Sequence, residues 1–346
     1  MSHAIDAGYL LFLGDVPDLL DAKTARGILE WRPERCTGQW RLNAGTVDLG
    51  LPDMTPEQAV AAGARTLVIG IAPVGGAIER HWIAPICRAI TAGLDIASGL
   101  HQRLTTVPEI AATAQATGRH LYDVRHSDGQ RIVATGAPRI GNRVLTVGTD
   151  CAIGKKFTAL AIHRALEERG IEAYFRATGQ TGIMIAGDGI AIDAVVADFA
   201  AGAAEALSPA TAPEAWSVVE GQGSLFHPAY AGVSLALLHG AQPDWIILCH
   251  EPGRTVIDGF PDFPLPEVEE AIARNLEAAR LTSPHVRCAG ISVDTSRLGV
   301  AAGRAAVAAL ARRTGLPVVD PLVEGPAALV DAMLSPRATR GAPYAR

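Results

Sequence analysis

Apolar residues in the first third of the chain fall in short continuous runs at 8–13, 66–71, 94–100 and 121–124. Between them lie stretches with helical spacing at 56–62, 78–92 and 108–117. Short unbroken runs mark strands covered on both faces, and strands that take turns with helices pair in parallel through crossovers. The segment 126–142, HSDGQRIVATGAPRIGN, has the Gly, Ser, Asp, Asn and Pro content of a linker. The pattern then restarts, with predicted strands at 143–147, 173–177, 216–219, 245–249, 288–293 and 317–319. Predicted helices at 155–169, 198–207, 232–238, 266–279 and 301–313 alternate with them. The expectation is an α/β protein of two domains, residues 1–135 and 136–346, since 346 residues exceed the usual size of one core.

Composition narrows the function classes. Apolar residues make up 49% and charged residues 19%, as in a globular protein. The net charge of -6, with no basic stripe, argues against a nucleic-acid partner. No apolar run is long enough for a membrane span, and Asp6, Asp15 and Asp18 occupy the start of the chain where a basic leader would stand. A cytoplasmic protein acting on small molecules, without membrane attachment and as a homo-oligomer, is expected. Cysteines 36, 87, 151, 249 and 288 are scattered and never form a CxxC pair, so neither a disulfide framework nor a metal site is expected.

Among the 30 basic residues only Lys23, Lys155 and Lys156 are lysines, and two of these are adjacent. A site that keeps lysine where arginine prevails elsewhere needs a compact ammonium on a flexible stem. Those two belong to VLTVGTDCAIGKKFTALAIHRAL, an apolar strand that ends at Gly148, followed by a loop and an amphipathic helix opened by Gly154 and Lys155. Such a loop turns backbone N–H groups inward, the helix adds positive charge at its start, and the lysine reaches phosphate oxygens. The cofactor-binding set is therefore Gly148, Thr149, Asp150, Cys151, Gly154, Lys155, Lys156 and Thr158. Five residues separate the glycines, where the usual phosphate loop has four, and Lys156 stands where a magnesium-binding hydroxyl belongs. Thr158 is the nearest replacement hydroxyl.

Other strand ends carry further candidates, because ligands bind at the carboxyl ends of parallel strands. SVVEGQGSLFHP supplies Glu220 and His227 as candidate general bases, with Gln222 and Ser224 to line a substrate. RATGQTGIMIAGDGIAID supplies Gln180 as a lining residue and Asp193 as a third catalytic acid. His101, His239 and His250 end apolar runs, and Arg80, Arg125 and Arg254 lie near predicted loops, where each could clamp a carboxylate. Gly75 and Gly76 suggest a weaker second anion site at 69–82.

The loop 148–155 resembles the modified phosphate loop of dethiobiotin synthetase, and VVEGQGS resembles that enzyme's Glu-Gly-x-Gly segment. A closer resemblance is to a bacterial family long catalogued as a domain of unknown function and associated with D-glutamate N-acetyltransferase. Its pattern is carried by AGLDIASGLH, GTDCAIGKK, ATGQTGIMIAG, DAVVADFAAGAAE, EGQGSLFHPAYAGVSLALLHG and CHEPGR. Lys156 and Phe157 depart from it, replacing a Met-Thr pair. The resemblance implies an N-terminal Rossmann-like domain, a C-terminal P-loop domain, and transfer of acetyl from acetyl-CoA to the amine of D-glutamate in amino-acid catabolism. In that setting Arg80, His101, Gln180, Gln222, Ser224 and Arg254 would bind substrate. The alternative is an ATP- and magnesium-dependent ligase or small-molecule kinase, with Asp150 or Glu220 holding the metal.

Overall fold

All six residues of the run YLLFLG are buried in strand β1 (Tyr9–Gly14), which lies inside a five-stranded sheet. Its neighbours are β2 (Cys36–Arg41) and β3 (Thr66–Ile69), followed outward by β4 (Asp95–Ser98) and β5 (Leu121–Asp123). The order is β2-β1-β3-β4-β5 and every pair is parallel. Helices α1 (Lys23–Trp31), α2 (Pro56–Ala61), α3 (Ile83–Ala92) and α4 (Pro108–Thr117) make the crossovers. Thr55 and Gln58 form a reciprocal capping box that starts α2, satisfying two N–H groups that the helix itself cannot. Strand β2, CTGQWR, was not expected, because it is a polar, glycine-containing strand at the edge of the sheet beside β1.

The chain, described in this computed structural model at residues 5–19, 21–71, 76–126 and 132–335, divides into two units. The first comprises Met1–Ile132 and Ala177–Phe199, and the second Val133–Arg176 and Ala200–Arg346. Segment 177–199 was expected in the second domain. It joins the first because its helix α6 (Gln180–Ala186) buries Ile183, Met184 and Ile185 and packs on α1, while Ile5 N–H donates to Gly187 O at 2.7 Å. Gly75 and part of the expected linker, 127–131, lie outside the described residues.

The second unit is built around β6 (Asn142–Gly148) in a six-stranded sheet with β7 (Ala173–Arg176), β8 (Trp216–Val219) and β9 (Trp245–His250). A short antiparallel hairpin, β10 (Val256–Ile257) and β11 (Phe260–Pro264), precedes the last sheet strands β12 (Arg287–Val293) and β13 (Val318–Val319). The order β13-β12-β9-β6-β8-β7 is parallel throughout. Around it lie α5 (Lys155–Glu168), α7 (Ala197–Leu207), α8 (Ala231–Ala241), α9 (Val268–Arg280), α10 (Val300–Thr314) and α11 (Ala327–Leu334). Val144, Ile162, Leu166, Trp216, Val218, Trp245 and Ile247 share one core cluster, each full burial contributing about 1.5–3 kcal/mol. The chain runs from β6 outward on one side and returns through β8, then crosses β6 to β9 on the other. This reversal opens a crevice at the carboxyl ends of β6, β8 and β9. Among the described residues no helix is long and apolar enough to cross a membrane.

Candidate functional site

The loop after β6 occupies that crevice. Gly154 caps α5 in the left-handed region at φ +91°, where a side chain would be strained, and Ala152 takes φ +51° despite its Cβ. No side chain caps α5, and the start of a helix carries a partial positive charge that suits an anion. Gly148 O accepts a hydrogen bond from Ser224 Oγ at 2.9 Å, and Thr149 N–H donates to Cys249 O at 3.1 Å. Both contacts tie the loop to its neighbours, the segment after β8 and strand β9.

Lys155 is buried, and its Nζ donates to Asp150 O at 2.6 Å, so the ammonium is folded across its own loop. Burial pushes its pKa below the ordinary value, opposed by Cys151, Cys249 and Asp150 nearby. A phosphate oxygen in place of that carbonyl would restore the charge partner that burial withholds. Gly221 makes room for this lysine. A Cβ there would stand 1.7 Å from Thr146 O and 3.1 Å from Lys155 Cδ, while Gly221 N–H donates to Thr146 Oγ1 at 2.9 Å.

Several expected ligands make hydrogen bonds within the protein. Asp150 is fully buried; its Oδ1 accepts Cys151 N–H at 2.6 Å, and its Oδ2 accepts Arg254 Nη1 and Asp258 N–H, both at 2.8 Å. Arg254, expected on a substrate carboxylate, instead clamps the loop. Nη1 also donates to Cys151 O at 3.0 Å, and Nη2 reaches Ala152 O at 3.5 Å and pairs with Glu251. Ser224, expected to line a substrate, is taken by Gly148 O. Thr158 Oγ1 bonds Gly154 O at 3.0 Å and Ser292 Oγ at 2.7 Å, facing the sheet and not the loop rim. Lys156 lays its ammonium 4.4 Å from the Phe157 ring centre. Glu251 was missed by sequence reasoning, although its spacing three residues before Arg254 was a usable signal.

His227 is buried between Tyr230, at 4.5 Å between ring centres, and the edge of Phe260, at 5.0 Å. Its Nδ1 accepts Ala229 N–H at 3.1 Å, so the neutral ring carries its proton on Nε2. In that tautomer Nε2 is a donor, whereas the sequence suggested His227 as a general base. One donor atom each of Asp150, Cys151 and His227 lie within 4.8 Å of one another. The set is poorly suited to a metal ion: the carboxylate already accepts three hydrogen bonds, and burial raises the Cys151 pKa and keeps the thiol protonated. Glu220 is buried at the end of β8, its N–H donating to Arg176 O at 3.0 Å, and Gln222 is half-buried beside it. His250 approaches Thr149 Oγ1 at 3.2 Å, and burial, aided by Arg313 and Arg254, lowers its pKa to about 4.

The remaining expected residues belong to the first unit. His101, Gln180 and Asp193 are brought together there around Arg125, whereas Arg80 sits exposed in the turn Arg80–Trp82.

Comparison with known proteins follows the same division. Residues 34–127 match a family model described as a domain of unknown function (DUF1611_N), Rossmann-like domain, and residues 132–330 match its P-loop partner (DUF1611_C). A protein of Tritonibacter scottomollicae named D-glutamate N-acetyltransferase is 50% identical over 95% of this chain and 99% of its own. One of the same name from Pseudoalteromonas sp is 45% identical over 92% of this chain and 96% of its own. The crystal structure of a DUF1611 family protein from Anabaena variabilis ATCC 29413 superposes with a TM-score of 0.83 at 33% identity, covering 96% of this chain and all of that one. With its Rossmann-like and P-loop domains in this order and two D-glutamate N-acetyltransferases among its relatives, the chain belongs to the DUF1611 family.

Proposed function

We propose that the chain transfers the acetyl group of acetyl-CoA to the amine of D-glutamate, as the names of its two relatives suggest. The observation that carries the reading is a phosphate loop whose acid and hydroxyl are already used. Asp150 accepts hydrogen bonds from Arg254 and two backbone N–H groups, and Thr158 bonds Gly154 and Ser292. A magnesium-bound triphosphate needs such oxygens free, whereas the pyrophosphate of coenzyme A needs backbone N–H groups, a helix N-terminus and a lysine.

Acetyl-CoA supplies an activated thioester. The acceptor ammonium first loses a proton, its nitrogen then attacks the thioester carbon, and the C–N bond forms as the C–S bond breaks. A second proton passes from nitrogen to the leaving thiolate, giving free CoA and the N-acetyl amino acid. The pantetheine arm separates the phosphates from this chemistry. His227, beside the loop, therefore serves the cofactor's phosphate end, and Glu220 and Asp193 are the remaining candidates for the acceptor's proton.

The purified protein should form N-acetylglutamate from D-glutamate and acetyl-CoA without ATP or added metal, followed by mass spectrometry. Product only with ATP and magnesium would refute acetyl transfer. Lys155→Ala should weaken CoA binding by roughly 1.5–3 kcal/mol, the worth of a charge-assisted hydrogen bond, as read by calorimetry.

A further inference from the structure

The first unit holds a second cluster of polar side chains drawn from four distant stretches of sequence. His101 follows β4 and Arg125 follows β5, so both stand at the carboxyl ends of neighbouring parallel strands, where such sheets bind ligands. Gln180 opens α6, and Asp193 lies in the short turn Ile192–Ala194. Arg125 Nη1 donates to Gln180 Oε1, and Nη2 stands 3.8 Å from Asp193 Oδ2.

Two glycines bring the members close. A Cβ on Gly76, itself at φ +62°, would lie 2.5 Å from His101 Cδ2, and one on Gly99 would lie 3.1 Å from Gln180 Cβ. His126 Nε2 adds a contact to His101 O at 3.0 Å. The His101 imidazole feels both charges: Arg125 pushes its pKa down and burial adds to that, while Asp193 pulls the other way.

The charges are arranged to suit an α-amino acid. Such a molecule carries a carboxylate and an ammonium on one carbon, and it is recognised by a cation and an anion at similarly short separation. Arg125 offers a planar fork for a carboxylate, and Asp193 offers an acceptor for an ammonium. Its side chain is 19% exposed and that of Asp193 35%, so the pair is reachable by a ligand yet shielded enough to bind one. Gln180 fixes the plane of the guanidinium through Nη1, and the His101 imidazole is at hand for a second carboxylate.

We infer that His101, Arg125, Gln180 and Asp193 form the acceptor site, taking a dicarboxylic amino acid with Arg125 on a carboxylate and Asp193 on the ammonium. This rests on the acetyl-transfer reading but assigns the acceptor to residues of the Rossmann-like unit. It also moves Asp193 from a generic acid to the ammonium's partner.

The test measures steady-state kinetics and calorimetric affinities for D-glutamate and CoA on the full chain, in the wild type, Arg125→Gln and Asp193→Asn. Arg125→Gln should raise the KM for D-glutamate by about 10- to 100-fold, the loss of one charged hydrogen-bonding partner, with CoA affinity unchanged. Asp193→Asn, nearly isosteric, guards against a folding defect in the first variant and should act the same way. Lys155→Ala should do the reverse, weakening CoA while leaving D-glutamate affinity intact. Wild-type KM for D-glutamate in both Arg125→Gln and Asp193→Asn would overturn the site and leave acetyl transfer standing. Lack of turnover in the wild type would overturn acetyl transfer itself. D-glutamate binding would then decide the site alone: binding lost in Arg125→Gln upholds it, and equal or absent binding overturns it.

Discussion

At the scale of single residues, His227 shows how a backbone contact sets a side chain's chemistry. A histidine after a glycine-rich turn reads as a proton acceptor, yet the Ala229 N–H occupies Nδ1 and leaves the ring with an Nε2 proton to donate. Glutamine carries its amide near the place of Nε2, while asparagine reaches only as far as Nδ1. His227→Gln should therefore keep CoA affinity close to wild type, and His227→Asn should lower it about tenfold, the worth of one hydrogen bond. Equal affinities in the two variants, measured by calorimetry, would rule out the donor role. Lys155 and Gly154 were legible in the sequence because glycine and lysine have few other reasons to meet at the start of a helix. Arg254 was not. Its partner Asp150 lies on the loop after a different strand, and nothing in either local sequence distinguishes a loop clamp from a substrate clamp.

At the scale of elements, strand β6, its loop and α5 were readable because an apolar run, a glycine-bounded loop and an amphipathic helix coincide there. Helix α6 was not, since QTGIMIA contains a glycine and follows another, and only burial of Ile183, Met184 and Ile185 against the first unit decides in favour of a helix. The close crossing of β6 and the segment after β8 is equally invisible in sequence until a Cβ is imagined at Gly221, 1.7 Å from Thr146 O. Gly221→Ala should push the segment after β8 off β6, costing about 1–3 kcal/mol as overpacking does, and should weaken CoA binding by shifting Lys155. Gly232→Ala in α8 is the control, because nothing lies within 4 Å of its added methyl. It should leave stability equal or slightly raised. Urea unfolding that gave both variants the same midpoint would contradict the close-approach argument.

At the scale of the whole molecule, the two α/β units were legible from strand and helix alternation, but the return of 177–199 to the first unit was not. A chain that goes back to an earlier sheet leaves no mark in local periodicity. The proposed acceptor cluster depends on that return, for Gln180 and Asp193 meet Arg125 only because of it. A property of the folded chain as a whole follows from His250, whose pKa falls from 6.5 to about 4, chiefly through burial and then through Arg313 and Arg254. The unfolded chain takes up this proton near its ordinary value and the folded chain only at lower pH, so between those limits the unfolded state binds more protons. Stability is therefore whole above about pH 6.5 and declines as the pH falls toward 4, by roughly 2 kcal/mol for this group after allowance for its partial exposure. His250→Asn removes the titrating ring while keeping a polar group for Thr149, so any lost contact shifts stability by a constant and not with pH. Urea midpoints taken from pH 7 to 5 should fall more steeply in the wild type than in His250→Asn. Parallel slopes would show that this histidine takes up its proton equally readily in the folded and unfolded chain.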